Sequence, residues 1–257
     1  MSRPLPEEIL DAVMDHLHGE PRTLKSCCIV CKAWIHPTRR RLYNHVTFRL
    51  GCDISRWKES FPNPKNSPAH NTRTLSVYFQ KLLVASDRDT LLTFHGVSRL
   101  NVDTDFWHGQ RLVSLVPLRG FSPAIRSLHL SFARLTRSEI FGLICSFPLL
   151  EDLSLACSTV QKHWVRGASS TSPRLTGSLE LRLEGGIQSL VSQMLDLPNG
   201  LHFKRIAVQW LVPEDVVSTV DLVSRCSHTL EFLEITNCLA GMLSLPCCVR
   251  SVVHLCV

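Results

Sequence analysis

The sequence predicts an α/β protein in two parts: a small helical unit at the N-terminus, then a solenoid of strand–helix repeats on one parallel sheet. Three observations carry this. Apolar residues recur at three- and four-residue steps between Ile9 and Ile35, the period of amphipathic helices. Alternating apolar triplets then return at steps of 25 to 28 residues. Most segments between the triplets carry helix start and stop signals.

The helical unit opens at Leu5-Pro6. Proline suits a first helical turn, where its missing N–H costs nothing, and Glu7 and Glu8 favour the positive end of the helix dipole. Ile9, Leu10, Val13, Met14 and Leu17 make one apolar stripe, and Gly19 and Pro21 end the helix. A second helical pattern places Leu24, Cys28, Cys31 and Ile35 on one stripe, with Cys27, Val30 and Trp34 beside it. Pro37 is expected to interrupt it, leaving Arg39, Arg40 and Arg41 on a solvated turn that runs to Tyr43. Cys27, Cys28 and Cys31 read as small buried apolar residues. About 40 residues in three short helices bury little core alone, so another protein is expected to complete the unit.

Leu5-Pro6, Ile9-Leu10, Leu17, Leu24, Val30-Cys31-Lys32 with Trp34, and Leu42-Tyr43 resemble the F-box in order and spacing. The resemblance covers about 40 of 257 residues. It implies a three-helix unit that docks a Skp-type adaptor, and through it a cullin, in an SCF ubiquitin ligase. Leu5, Pro6, Ile9, Leu10, Leu24, Val30, Cys31 and Trp34 would be the adaptor-binding positions. Pro21-Arg22-Thr23 departs from the family where many members carry an acidic residue before the second helix.

A chain of 257 residues that is 44% hydrophobic can bury a full core. Its net charge of +6 divides unevenly. Residues 1–140 hold 20 Lys and Arg against 12 Asp and Glu, an excess of +8, and the remainder 8 against 10. The basic residues are scattered among leucines without the aromatic interleaving of a single-strand binder, so no nucleic-acid partner is expected. There is no signal-peptide pattern, no N-x-Ser/Thr sequon and no apolar run near 18 residues, so no membrane partner is expected either. The 11 cysteines are therefore expected to be reduced, in the cytoplasm and/or the nucleus.

The division expected is a helical domain over 1–48, a linker over 49–72 and repeats over 73–257. The linker is suggested by Pro62, Pro64 and Pro68 among asparagines; within it only Ile54, Trp57 and Phe61 could form an apolar helical face. The repeats begin with Leu75-Ser-Val77 and continue with Leu100-Asn-Val102, Leu128-His-Leu130, Leu153-Ser-Leu155, Leu181-Arg-Leu183, Ile206-Ala-Val208 and Leu233-Glu-Ile235. Several carry an apolar residue three positions earlier, as in Ile125, Leu150 and Leu230. Helices are expected over Thr136–Phe147, with a possible Thr136/Glu139 capping box, over Ile187–Leu197, and over Pro213–Cys226 with its repeated Val216, Val217, Val220 and Val223.

The LxxLxL pattern resembles the leucine-rich repeat, in degenerate form, since the family's repeat asparagine stands only at Asn237. With the F-box it resembles the expanded fungal group of F-box and leucine-rich-repeat proteins. One repeat cannot bury its strand face alone, so the units must stack. Residues alternating with the core leucines should line a concave face: Ser76, Tyr78, Asn101, Asp103, His129, Ser131, Ser154, Glu180, Arg182, Gln209, Glu234 and Thr236. Of these, Tyr78, Asn101, Asp103, His129, Arg182, Gln209 and Glu234 are the target-binding candidates, and their mixed polarity points to a protein surface. Cys248 to Leu255 reads as the opening strand of one more repeat, either with an open edge from truncation or an incomplete cap, which is favoured, or as a degenerate terminal strand that pairs with its neighbour and is shielded by Leu239, Met242 and Leu243.

No catalytic signature is present: no GxxxxGK[ST], GxGxxG after a strand, HExxH or GxSxG. Cys27-Cys28-x-x-Cys31 and Cys247-Cys248 lack a second half at zinc-finger spacing, so neither a metal nor a cofactor is expected. Trp107-His108-Gly109 is a candidate functional loop, with a rim aromatic packed on the solenoid edge as the favoured reading. The function expected is a non-catalytic substrate receptor of an SCF-type ubiquitin ligase with an unidentified protein target. The alternative is a repeat-based interaction scaffold outside any ligase, and a thiol enzyme trails both.

Overall fold

A computed structural model describes residues 6–17, 19–49, 51–79, 85–104, 118, 121–161, 173–183, 187–197, 199–209, 211–236 and 251–254. Trp107-His108-Gly109, Leu5 and Asn237 lie outside them.

Strand-period alternation sends every second side chain to one face, and here that face is apolar in each repeat. The strands are β1 (His45–Phe48), β2 (Thr74–Phe79), β3 (Arg99–Thr104), β4 (Ser127–Thr136), β5 (Asp152–Gln161), β6 (Ser178–Leu183), β7 (Arg205–Gln209), β8 (Phe232–Thr236) and β9 (Ser251–His254). They form one sheet in sequence order. The first eight pair in parallel and β9 joins antiparallel, which makes the protein α/β. Leu75, Leu100, Leu128, Leu153, Leu179 and Ile206 occupy one buried row, with Val77, Val102, Leu130, Leu155, Leu181 and Val208 in the next. Ile125, Leu150 and Leu230 lie buried behind them as expected.

Between the turns runs a second ladder. The carbonyls of Asn44, Arg73, Ser98, Arg126, Gly177 and Lys204 each accept two successive backbone N–H groups from the following repeat. The turn backbone is thereby satisfied, and each repeat fixes the register of the next.

Two expectations about the sheet are corrected. Leu153 pairs with Leu179, not Leu181, so the steps become 26 and 27 around β6. Leu179-Glu-Leu181-Arg-Leu183 satisfies either register, because a shift of two keeps every side chain on its face. The last strand does not open another parallel repeat but pairs with its neighbour β8, as in the other reading of that segment. Leu233 pairs with Val253, 20 residues on, short of the 25 to 29 of the parallel neighbours; an antiparallel return needs less chain than a parallel crossover.

The N-terminal unit has three helices, α1 (Glu7–His16), α2 (Pro21–Cys27) and α3 (Lys32–Leu42). The single helix expected from Leu24 to Ile35 is broken at Cys28–Val30, where the β-branched pair Ile29-Val30 favours helix weakly and Cys31 turns extended as the N-cap of α3 (φ −161°, ψ 165°). Pro21 opens α2, and Pro37 sits inside α3, so Arg39, Arg40 and Arg41 are helical. An interior proline costs about 3 kcal/mol in an isolated helix. Tertiary ties offset it: Arg41 reaches Asp11 at 2.8 Å and Asp15 at 2.7 Å on α1, and the buried Thr38 hydroxyl donates to Met14 Sδ at 3.3 Å. Leu10, Met14, Leu24 and Cys27 form a small separate core, with Leu17, Trp34 and Leu42 against it. Of the three cysteines expected inside, Cys27 is buried, Cys28 half-buried and Cys31 exposed.

The segment 49–72 is more than a linker. It holds α4 (Gly51–Ser60) and 3-10 turns at Pro64–Asn66 and Pro68–Asn71, and β1 before it already belongs to the sheet. Ile54 is buried, and Trp57 meets the rings of Tyr43, Phe48, Phe61 and Phe94 at 4.8–5.8 Å. These aromatics weld the helical unit to the first repeats, helped by the Thr72 hydroxyl donating to the Tyr43 carbonyl at 2.9 Å.

The remaining helices are α5 (Ala85–Leu92), α6 (Arg137–Ile144), α7 (Ile187–Leu195) and α8 (Val216–Cys226). In α8 only Val223 of the valine stripe packs against the core. Ser218, Thr219, Leu222 and Cys226 are buried, while Val216, Val217 and Val220 are exposed. The burial is possible because the Thr219 hydroxyl donates to the Asp215 carbonyl at 2.9 Å.

Candidate functional site

Two surfaces carry the residues singled out by sequence. The first is the outside of the helical unit. Pro6 caps α1 and is exposed, as is Ile9; Val30 and Cys31 sit exposed in the α2–α3 connection. Trp34 is half-buried against the small core. Leu10 and Leu24 lie inside that core, so they shape the surface without forming it. Sequence reasoning missed Ile29 and Ile35, which are exposed, and passed over the outward position of Val13. Their outward position follows from the Cys28–Val30 break between α2 and α3, which the continuous apolar spacing hides.

The second surface is the sheet face opposite the leucines. One row runs Thr47, Ser76, Asn101, His129, Ser154, Glu180, Ala207, Glu234. The next runs Tyr78, Asp103, Ser131, Ala156, Arg182, Gln209, Thr236. All the target-binding candidates therefore share one face, in two adjacent rows. A third row, missed because it precedes the first leucine of each repeat, contains His45, Arg99, Asp152, Ser178 and Arg205.

Hydrogen bonds run across strands on this face. His45 Nε2 lies 3.1 Å from Ser76 Oγ, which also accepts from Asn101 Nδ2 at 3.0 Å. His129 Nδ1 lies 2.8 Å from Ser154 Oγ, whose hydroxyl donates to Glu180 Oε2 at 3.0 Å; Arg182 closes on Glu180 Oε1 at 2.6 Å. Arg205 reaches Glu234 at 3.3 Å and stacks over the Phe232 ring at 4.4 Å. Burial pushes the His129 imidazole below its ordinary 6.5, against the opposing pull of Glu180. Burial tends to raise Glu180, but hydrogen bonds from Arg182 and Ser154 outweigh it and hold the carboxyl below its usual value.

The order of these bonds limits their chemistry. Ser154 gives its only proton to Glu180, so His129 must donate to it from Nδ1 and is not placed to take that proton as a base. Burial pushes the Cys145 and Cys226 thiols up, the reverse of the shift that activates a nucleophilic cysteine. At Cys226 a backbone hydrogen bond at Phe203 offsets that rise only in part. Among the described residues no group of three or more His, Cys, Asp or Glu stands close enough to hold a metal ion. No helix among them is long and apolar enough to cross a membrane.

The fold and its two surfaces define an α/β protein with one largely parallel sheet, a polar sheet face and a helical unit at one end. Neither the protein-family models nor the curated proteins compared with this chain give a match.

Proposed function

We propose that the chain is the substrate-recognition subunit of an SCF-type ubiquitin ligase, with an F-box over the three N-terminal helices and a leucine-rich-repeat-like solenoid over the sheet. One observation carries the reading beyond the sequence resemblance. Within 27 residues the helical unit exposes Ile9, Val13, Ile29, Val30 and Ile35, with Ile29 86% and Val30 62% accessible, around an apolar core of only four buried side chains among the described residues. A small unit that leaves this much aliphatic surface in water is suited to a protein partner. A Skp-type adaptor would cover that surface and link the chain to a cullin. The polar sheet face would hold a target protein through the rows containing Tyr78, Asn101, Asp103, His129, Arg182, Gln209 and Glu234.

In this role the chain does no bond chemistry. It holds a target lysine near a ubiquitin-charged enzyme and so raises the effective concentration of the reactants. The test is co-purification of the full chain with a Skp-type adaptor. Wild type should retain the adaptor, and the double substitution Ile29→Glu, Val30→Glu should lose it while keeping the wild-type melting temperature. Equal recovery by both proteins would sink the docking assignment.

A further inference from the structure

The sheet begins at β1, which among the described residues pairs with β2 on one side only. Alternate residues of a parallel strand turn their N–H and C=O groups to the same edge, so part of the β1 backbone points away from β2. Beyond the pairing with β2, residues 45–48 make no backbone hydrogen bond among the described residues. Such an edge is a template for one more strand, and proteins normally cover or blunt it.

Here it opens into a groove of about 540 Å³. All five consecutive residues from His45 to Arg49 line it. Because successive strand residues point to opposite faces, a groove lined by all of them runs along the strand's edge. Pro21 and Lys25 of α2 form part of its wall, and Trp57 and Phe61 another part.

Charge selects the occupant. Lys25, Arg49 and Arg56 line the groove with a single carboxylate, Asp53. That carboxylate is engaged locally: Oδ2 accepts from the Arg49 backbone N–H at 2.8 Å, and Oδ1 lies 3.9 Å from Arg56. The side chains of Lys25 and Arg49 have no ion-pair partner among the described residues. Arg49, one residue past the strand, continues the exposed alternation of His45 and Thr47, whereas Val46 and Phe48 are buried on the other face, the side of Trp57. A chain added here would meet Arg49 on one face and the aromatic side of Trp57 on the other, with Lys25 and Arg56 also in the lining.

We propose that this groove docks an extended peptide segment in which acidic residues alternate with apolar ones, and that the segment adds to the free edge of β1 as a further strand. At about 3.3 Å per residue, the four residues of β1 pair with a segment of about four to six residues. The surface is separate from the exposed aliphatics of the helical unit and from the polar sheet face, so the proposal stands independently of any ligase role.

The probe is a fluorescein-labelled octapeptide, Glu-Val-Glu-Ile-Glu-Phe-Glu-Val, titrated against the full chain and read by anisotropy. Two versions carry N-methyl groups on alternate amides, one set for each edge of the peptide, and a third has Lys in place of every Glu. Saturable binding is expected, at least tenfold weaker with one methylated version and changed less than twofold with the other. The Lys version and the double variant Lys25→Glu, Arg49→Glu should each lose at least tenfold; both substituted residues are exposed, and a melting curve confirms the fold. Hydrogen exchange should slow at residues 45–48 when the probe is bound. Absence of saturable binding at 1 mM peptide would overturn the proposal, as would equal effects of the two methylated versions or tight binding of the Lys version. Sedimentation showing a dimer that Arg49→Glu dissociates would overturn it too, because the occupant would then be a second copy.

Discussion

Replacing Trp57 by Ala separates a linker from a structural repeat. A tryptophan on a loose connection would contribute little, since surface substitutions usually change stability by less than about 0.5 kcal/mol. Trp57 instead lies 5.8 Å from Tyr43, 5.8 Å from Phe48, 4.8 Å from Phe61 and 5.1 Å from Phe94, itself fully buried. Truncating a core aromatic costs about 3–5 kcal/mol, and the lower end applies because part of the indole remains accessible. The expected loss is about 3 kcal/mol. At about 2–4 °C per kcal/mol for a chain of this size, the melting temperature should fall by about 6–12 °C. Trp57→Phe should recover most of it, because a ring of similar character remains. The assay is urea unfolding followed by far-UV circular dichroism, with the slope compared between variants to confirm the same cooperative unit. A loss below about 1 kcal/mol for the alanine variant would refute the reasoning.

The sheet face makes stability pH-dependent in a defined direction. His129 is held below its ordinary 6.5, so its contribution is complete above pH 6.5 and fades as the pH falls through its depressed value; Glu180 acts alike below its ordinary 4.5. Unfolding free energy should therefore decline on acidification below pH 6.5, and His129→Gln should flatten the first part of that decline; a stability that rises on acidification would contradict it. Gly177→Ala should cost about 2 kcal/mol, because a Cβ there would overlap the Asp152 carboxylate and approach the Glu151 carbonyl to 3.1 Å. That carboxylate accepts from the Ser178 backbone N–H at 2.7 Å and its hydroxyl at 2.8 Å, so the losses of Gly177→Ala and Asp152→Ala should fail to add in the double variant. In α8, Leu222→Ala should cost about 3 kcal/mol and Val217→Ser less than about 0.5; the reverse ranking would put the valine stripe back inside.

The strands were legible because two periods reinforce each other: alternation within a strand, and the return of the triplet after about one repeat. Where three leucines alternate, as from Leu179 to Leu183, that signal fits two registers equally, and only pairing with β5 chooses between them. Composition misled at 49–72, where prolines and asparagines punctuate 3-10 turns and suggest a linker, but the apolar helical face read there was right, since Ile54 and Trp57 pack inward from α4. Hydrophobicity misled in α8. Its buried stripe is built from Ser218, Thr219, Leu222 and Cys226, and burying hydroxyls depends on partners that a one-dimensional pattern does not display. The polar sheet face was legible for the same reason as the core, since the two faces of a strand are complementary readings of one alternation. The row beginning at His45 was not, because it lies outside the leucine triplets. In the helical unit the apolar positions were readable, but not which of them face inward; that depends on the break at Cys28–Val30 and on the Arg41 ties between α3 and α1.

The central claim is that the exposed aliphatics of the helical unit are an adaptor-docking surface, and calorimetric titration of the full chain with a purified Skp-type adaptor tests it directly. Burying Ile29 and Val30 from their present exposure would contribute about 3 kcal/mol together, on the order of a hundredfold in affinity. The account predicts one-to-one binding with a dissociation constant on the order of 1 μM or tighter and a negative heat-capacity change from apolar burial, both lost in Ile29→Glu, Val30→Glu. Absence of binding heat at concentrations about a hundredfold higher, or unchanged binding by the double variant, would contradict it.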